Sequence, residues 1–260
     1  SDMILTKDTI PYHIFNTLTV PVSRRLTVQS GTALKMNGSL TNQGTVLLKG
    51  TREERIIITS LKDDTVQGDT NKDGTTSSPQ AGDWGVWTNT STGTMQLDWT
   101  QMRYGGAAPA PGMLDNAGNL TVTNSTVESA RTTLFRAFAG TLIIEKTLLS
   151  NPQALTLATT GTTPVSIHNS EITGTGMRIY NTISGREATA EVDARSNYWQ
   201  NGLTPQISGS SSTKPVVTTK VLFDPVLTRS PICHTSCHSS IAFLPGIMGS
   251  RLYENGEEVW

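Results

Sequence analysis

Cysteine is almost missing from this chain: Cys233 and Cys237 are the only two in 260 residues. A disulfide-dense scaffold is thereby excluded, so the body must be held by burial and hydrogen bonding. Charge is scarce and balanced, with 20 Lys and Arg against 21 Asp and Glu. Such a surface offers no broad field for nucleic acid or an anionic membrane, and neither is expected as a partner. No apolar run reaches the roughly 20 residues of a membrane-crossing helix, so no transmembrane segment is expected. The N-terminus has no secretory leader, which fits a mature or truncated form. Ala, Leu, Glu and Lys are too few for a helical protein, and β-branched residues too many for a disordered one. Also missing is any Gly-x-Ser-x-Gly, the nucleophile turn of serine ester hydrolases.

What fills the chain instead is a succession of short β-type runs broken by Gly, Asn, Thr or Ser. Four of them begin at Leu120, Leu142, Val165 and Ala190, spaced by 22, 23 and 25 residues. A period of that size predicts a parallel β-solenoid, one strand-rich coil per repeat. Asn124-Ser-Thr-Val and Asn169-Ser-Glu-Ile follow two of these runs, and recurrence at matching places in successive coils would stack like side chains into ladders. The alternative is a β-sandwich with turns every eight to twelve residues. Val216–Pro225 reads as a last strand closing the solenoid, and Ser208–Lys214 as a flexible loop.

Several stretches carry a resemblance to right-handed parallel β-helix proteins of the pectate-lyase-like class. They are Leu26-Thr-Val-Gln-Ser-Gly-Thr-Ala-Leu-Lys-Met, Gly50-Thr-Arg-Glu-Glu-Arg-Ile-Ile-Ile-Thr-Ser, Asp69-Thr-Asn-Lys-Asp-Gly with Gly82-Asp-Trp-Gly, Leu97-Asp-Trp-Thr-Gln-Met-Arg-Tyr-Gly-Gly and Asn197-Tyr-Trp. Arg55, where proline is usual, and Gln200, in place of a glycine after Asn-Tyr-Trp, depart from the pattern. The resemblance implies an all-β, single-stranded right-handed β-helix over residues 1–227, followed by a linker over 228–239.

The last stretch, 240–260, is of another kind. Ile241-Ala-Phe-Leu fits a buried strand, and Pro245-Gly-Ile-Met-Gly-Ser a sharp turn. "FLPGIMGSRL" resembles the opening of lecithin–cholesterol-acyltransferase-like lipases, which implies the truncated start of an α/β-hydrolase domain. By that resemblance Gly246, Ile247 and Met248 form the oxyanion loop, where a backbone N–H turns toward a tetrahedral intermediate. No serine elbow, Asp or His follows to complete a triad, so the chain itself is expected to be inactive.

The strongest polar cluster is Asp63-Asp64 with Asp69-Thr-Asn71-Lys-Asp73-Gly74-Thr75. Asp-x-Asn-x-Asp-Gly is the spacing of a calcium loop, with side-chain oxygens at alternate positions, a glycine for the bend and a carbonyl from Thr75. Candidate ligands for a structural Ca2+ are therefore Asp64, Asp69, Asn71, Asp73 and Thr75. The twelfth position is Gln80 rather than glutamate, so Asp64, Asp63 or Asp83 must supply the missing charge. Read without a metal, the same residues are a solvated loop whose side chains cap turns. Cys233 and Cys237 fit a small disulfide loop, free thiols, or a metal site with His234 and His238.

Trp84, Trp87, Trp99, Tyr104, Tyr198 and Trp199 fit either a sugar-stacking face or packing. Lys35, Lys49, Arg103, Arg131, Arg136, Arg178 and Arg186 are the basic groups open to a lyase, but each also fits a solvated rim residue. Asp98 with Asp115 is the acid pair open to a glycosidase. The whole reads as a non-catalytic accessory domain of a larger exported, bacterial lipase or esterase. A polysaccharide or cell-surface component and the downstream hydrolase domain are its expected partners. A carbohydrate-active enzyme on the β-helix and a purely structural or adhesive rod are the alternatives.

Overall fold

The structure, a computed structural model, describes residues 1–109, 112–151, 155–183, 186–207 and 213–232, together with the backbone of 253–254 and 257–258. The calls to Cys233, Cys237 and the oxyanion loop at Gly246, Ile247 and Met248 lie outside the described residues, as does the loop at 208–212. Tyr253–Glu254 and Glu257–Glu258 form a short antiparallel pair.

The body is a parallel β-solenoid of about eight turns, wound in the right-handed sense. Its first turn is β1 (Met3–Leu5), β2 (Tyr12–Ile14) and β3 (Thr17–Val20); its second is β4 (Arg25–Gln29), β5 (Ala33–Met36) and β6 (Ser39–Asn42). Each strand pairs with its counterpart one turn on, giving three sheets of nine, eight and ten strands among the described residues. Sheet A begins with β1 and β4, sheet B with β2 and β5, and sheet C with β3 and β6.

Alternation along each short strand sends every second side chain into the bore. In sheet A, Leu26, Val46, Met95, Leu120, Leu142 and Val165 stack in register. Leu34, Ile58, Met102, Val127 and Leu149 do so in sheet B, and Trp87, Leu114, Phe135 and Leu157 in sheet C. All of these are buried, each worth roughly 1.5–3 kcal/mol of transfer free energy. Three of the four periodic runs are sheet A strands in direct register, Leu120 on Leu142 on Val165. The fourth enters at Val192 rather than Ala190.

Two polar ladders stabilise the corners. Between sheets A and B, one residue per turn takes a left-handed conformation, at Trp99, Asn124, Lys146, Asn169 and Ser196. The residue after each of these faces inward. There the Thr100 amide donates to Ser125 Oγ at 3.0 Å, the Thr147 amide to Ser170 Oγ at 3.1 Å, and the Ser170 amide to Asn197 Oδ1 at 2.8 Å. Asn124 and Asn169 do occupy equivalent corner positions, but Lys146 stands between them, so the ladder is built by the inward Thr, Ser and Asn that follow and not by the two asparagines expected to stack. Between sheets C and A, Asn42 Nδ2 donates to Asn89 Oδ1 and Asn89 Nδ2 to Asn116 Oδ1, both at 2.8 Å.

Arg55 and Gln200 are both accommodated locally. Arg55 lies over the Trp99 ring, 5.2 Å from its centroid. Gln200 opens a 3-10 turn to Gly202 and accepts the Gly174 amide through its side chain at 2.6 Å.

Candidate metal centre

The connection from Ile56–Ser60 in sheet B to Trp87–Asn89 in sheet C is the long one, and it carries the predicted calcium loop. It folds back over the outer face of sheet B, where His13, Lys35 and Thr59 stand in register. The loop is fastened at both ends. At its start Asp63 is buried and accepts hydrogen bonds from the Thr59 hydroxyl, from Thr65 Oγ1 at 2.6 Å and from Arg103 Nη2 at 2.7 Å. Burial pushes the Asp63 carboxyl up, but those donors and the guanidinium charge outweigh it and hold the group below its ordinary value. At its end Asp83 accepts from Ser60 Oγ at 2.7 Å, Lys62 Nζ at 2.8 Å and the Gln80 amide at 2.9 Å.

Between these anchors the turn is organised by Asp69. Its carboxylate accepts the amides of Lys72 at 2.6 Å and Gly74 at 2.8 Å. The Gly74 amide and its neighbours accordingly hold the Asp69 carboxyl below the usual range. Lys72 and Gly74 both adopt positive φ, 59° and 68°, which is the bend the glycine was expected to supply.

Carboxylate oxygens of Asp64, Asp69 and Asp73 all lie within 4.8 Å of one another. Two ligands on opposite sides of one calcium ion, each at about 2.4 Å, stand about that far apart. Asp64 Oδ1, Asn71 Oδ1 and Asp73 Oδ1 are buried oxygens with no hydrogen-bond partner. The other side of the amide is committed, Asn71 Nδ2 donating to Asp73 Oδ2 at 2.8 Å and to Ser77 Oγ at 3.2 Å. Thr75 follows the bend and is exposed. Of the three acids offered for the missing charge, Asp64 joins the cluster while Asp63 and Asp83 serve as anchors.

Sequence reasoning missed Lys35 at this site. As a solvated rim residue it is corrected: its side chain is fully buried beneath the loop, and its ammonium donates to the Gly68 carbonyl at 2.6 Å. Burial lowers its pKa, while the charges of Asp64, Asp63 and Asp69 push the other way. The reason is topological. Lys35 points outward from sheet B, and the segment that covers it arrives 33 residues later.

Other candidates are separated or spent on packing. Trp84, Trp87 and Trp199 are buried, so they stack no sugar; Trp99, Tyr104 and Tyr198 are partly buried. Asp98 stands on sheet A, held by Thr123 Oγ1 at 2.7 Å and Asn124 Nδ2 at 2.9 Å, whereas Asp115 stands on sheet C, clamped by Arg136. They do not form a pair. Arg178 is buried and donates to the Asn151 carbonyl, and Arg103 and Arg136 are ion-paired; none of the three is a rim residue. Lys49 and Arg131 are exposed as expected, and the Arg186 side chain lies outside the described residues. No family model matches this chain, and no match is found among curated proteins or solved structures.

Proposed function

We propose that the solenoid is a non-catalytic attachment domain of a larger exported ester hydrolase, and that it engages a polysaccharide or another repetitive surface component. The observation that carries this reading is the outer face of sheet A. Thr27, Leu47, Gln96, Thr121, Ile143 and Ser166 stand there in one register row, and none of them is buried. Rows repeat at the strand spacing of about 4.8 Å. A row in which hydroxyl and amide groups at Thr27, Gln96, Thr121 and Ser166 are interleaved with apolar Leu47 and Ile143 at a fixed interval suits a ligand that itself repeats polar and apolar faces. The link to a hydrolase rests on the Pro245–Ser250 sequence, and with it the expectation of export.

The loop at 61–75 is the second part of the proposal. Its all-oxygen donor set suits calcium, with Asp64, Asp69, Asn71 and Asp73 as side-chain ligands and Thr75 through its carbonyl. The ion would be structural. It would satisfy the three unpartnered oxygens and hold the insertion down on sheet B.

Co-sedimentation with insoluble cellulose, chitin and xylan tests the attachment. Retention on at least one is expected, weakened about tenfold by Gln96→Ala with Thr121→Ala, the loss of roughly two hydrogen bonds. No retention on any, or full retention by the double variant, would refute the sheet A reading. The 260-residue chain should leave p-nitrophenyl esters uncleaved.

A further inference from the structure

Arg178 is a buried cation without an anion. It is 3% exposed, and none of the ion pairs among the described residues includes it. Burial is the one influence on its pKa, which it lowers. A guanidinium has five N–H donors. Here Nη1 donates to the Asn151 carbonyl at 2.5 Å, and that is the group's one hydrogen bond among the described residues. Nε is buried and has no partner. Nε and Nη2 form the side edge of the guanidinium, and elsewhere in this protein that edge grips carboxylates. Arg136 gives both nitrogens to Asp115, and Arg195 gives both to Asp193 at 2.8 and 2.7 Å. The same edge of Arg178 meets no acid among the described residues.

Local geometry singles this side chain out. Arg178 lies in the strand Gly176–Ile183 of sheet C, and the ladder to Pro215–Val217 steps from Met177 to Ile179, passing it over. Such a bulge re-aims one side chain. Leu157 pairs with Ile179, so Thr156 stands beside Arg178 one turn back. The Thr156 hydroxyl is likewise buried and without a partner. Asn151, whose carbonyl takes Nη1, also lines a groove of about 330 Å³ together with Gln80, Tyr104 and Ser129. Buried arginines are ordinarily paired, because an unpaired one bears its full loss of hydration.

We propose that Arg178 is the binding site of a small organic carboxylate carrying one negative charge. Its two oxygens take the Nε and Nη2 hydrogens side-on, as the carboxylates of Asp115 and Asp193 do on Arg136 and Arg195. The Thr156 hydroxyl donates to one of the same oxygens. The groove at Asn151 gives room to the carbon end of the ligand. Charge selects the monoanion: the site offers a single positive charge, so a dianion such as sulfate would bring in a second charge with nothing to balance it.

Arginine Nε–H correlation spectra of the 260-residue chain, recorded as sodium acetate replaces sodium chloride at constant ionic strength, test this. The Arg178 signal, identified by its loss in Arg178→Met, should move and saturate with a millimolar midpoint. The signals of Arg136 and Arg195, whose edges are filled, should stay still. Sulfate should need at least about fivefold more to move the Arg178 signal, the discrimination expected of an unbalanced second charge. Acetate at about tenfold excess over its Kd should also raise Tm by about 3–5 °C. Arg178→Met should fold, since it replaces an unpaired buried charge by an apolar chain of similar length, and it should lose that rise. An Arg178 signal unmoved through the whole titration would overturn the inference, and that reading needs no folded variant. So would sulfate acting as readily as acetate, or a Tm rise that survives in Arg178→Met.

Discussion

Replacing Asn89 by alanine would cut the asparagine ladder at its middle rung. Asn89 is fully buried and makes three hydrogen bonds. Its Oδ1 accepts from Asn42 at 2.8 Å, and its Nδ2 donates to Asn116 Oδ1 at 2.8 Å and to the Asn119 carbonyl at 3.1 Å. Asn42 keeps a second acceptor, the Thr94 carbonyl at 3.0 Å. Asn116 Oδ1 would be left buried without a donor. Three bonds at about 1 kcal/mol each, and about 1–3 kcal/mol for the orphaned oxygen, sum to roughly 4–6 kcal/mol before the neighbours relax. A measured loss of about 3 kcal/mol or more in urea unfolding is the expected result. Asn119→Ala, one turn away at an exposed position, should cost no more than about 0.5 kcal/mol. If Asn89→Ala cost less than about 1 kcal/mol, or no more than Asn119→Ala, the ladder would not be what holds this corner.

Asp63→Asn should destabilise the protein by about 3 kcal/mol, because it leaves the largely buried Arg103 guanidinium without its counter-charge. The same carboxyl predicts an acid limb. Its folded value is depressed below the unfolded one, so its contribution is complete above about pH 4 and lost as pH falls through the folded value. Asp63→Asn should flatten that part of the stability–pH curve; an unchanged slope would refute the assignment. Gly105→Ala tests the packing behind the insertion. A Cβ there would come within 2.5 Å of the buried Trp84 ring, so a loss of about 1–3 kcal/mol is expected in thermal unfolding.

Where the coils are regular, the sequence was readable. From residue 119 onward turns recur with little insertion, so Leu120, Leu142 and Val165 could be recognised as equivalent, and so could Asn124 and Asn169. Between sheets B and C the long insertion breaks the period. Asn42, Asn89 and Asn116 form one continuous ladder, yet they are separated by 47 and 27 residues, and no spacing rule joins them. The clustering of polar side chains at 69–73 was legible because they are local in sequence, Asp69, Asn71 and Asp73 lying within one turn of chain. Lys35 was not, because its burial depends on a segment that returns from far along the chain. The same cause separates Asp98 from Asp115: neighbours in the list of acids, they belong to different sides of the rod. Asp115 and Arg136, 21 residues apart, are joined by one step of register.

Calcium titration of chelator-treated protein, followed by calorimetry and by thermal unfolding, tests the metal centre most directly. The account predicts one ion per chain and, at a hundredfold excess over Kd, a Tm raised by roughly 5–10 °C. Asp73→Asn should abolish both signals. Absence of binding heat together with an unchanged Tm would contradict it, and would leave the loop at 61–75 held by protein contacts alone, among them those of Asp63, Asp83, Gln67 and the Lys35 ammonium.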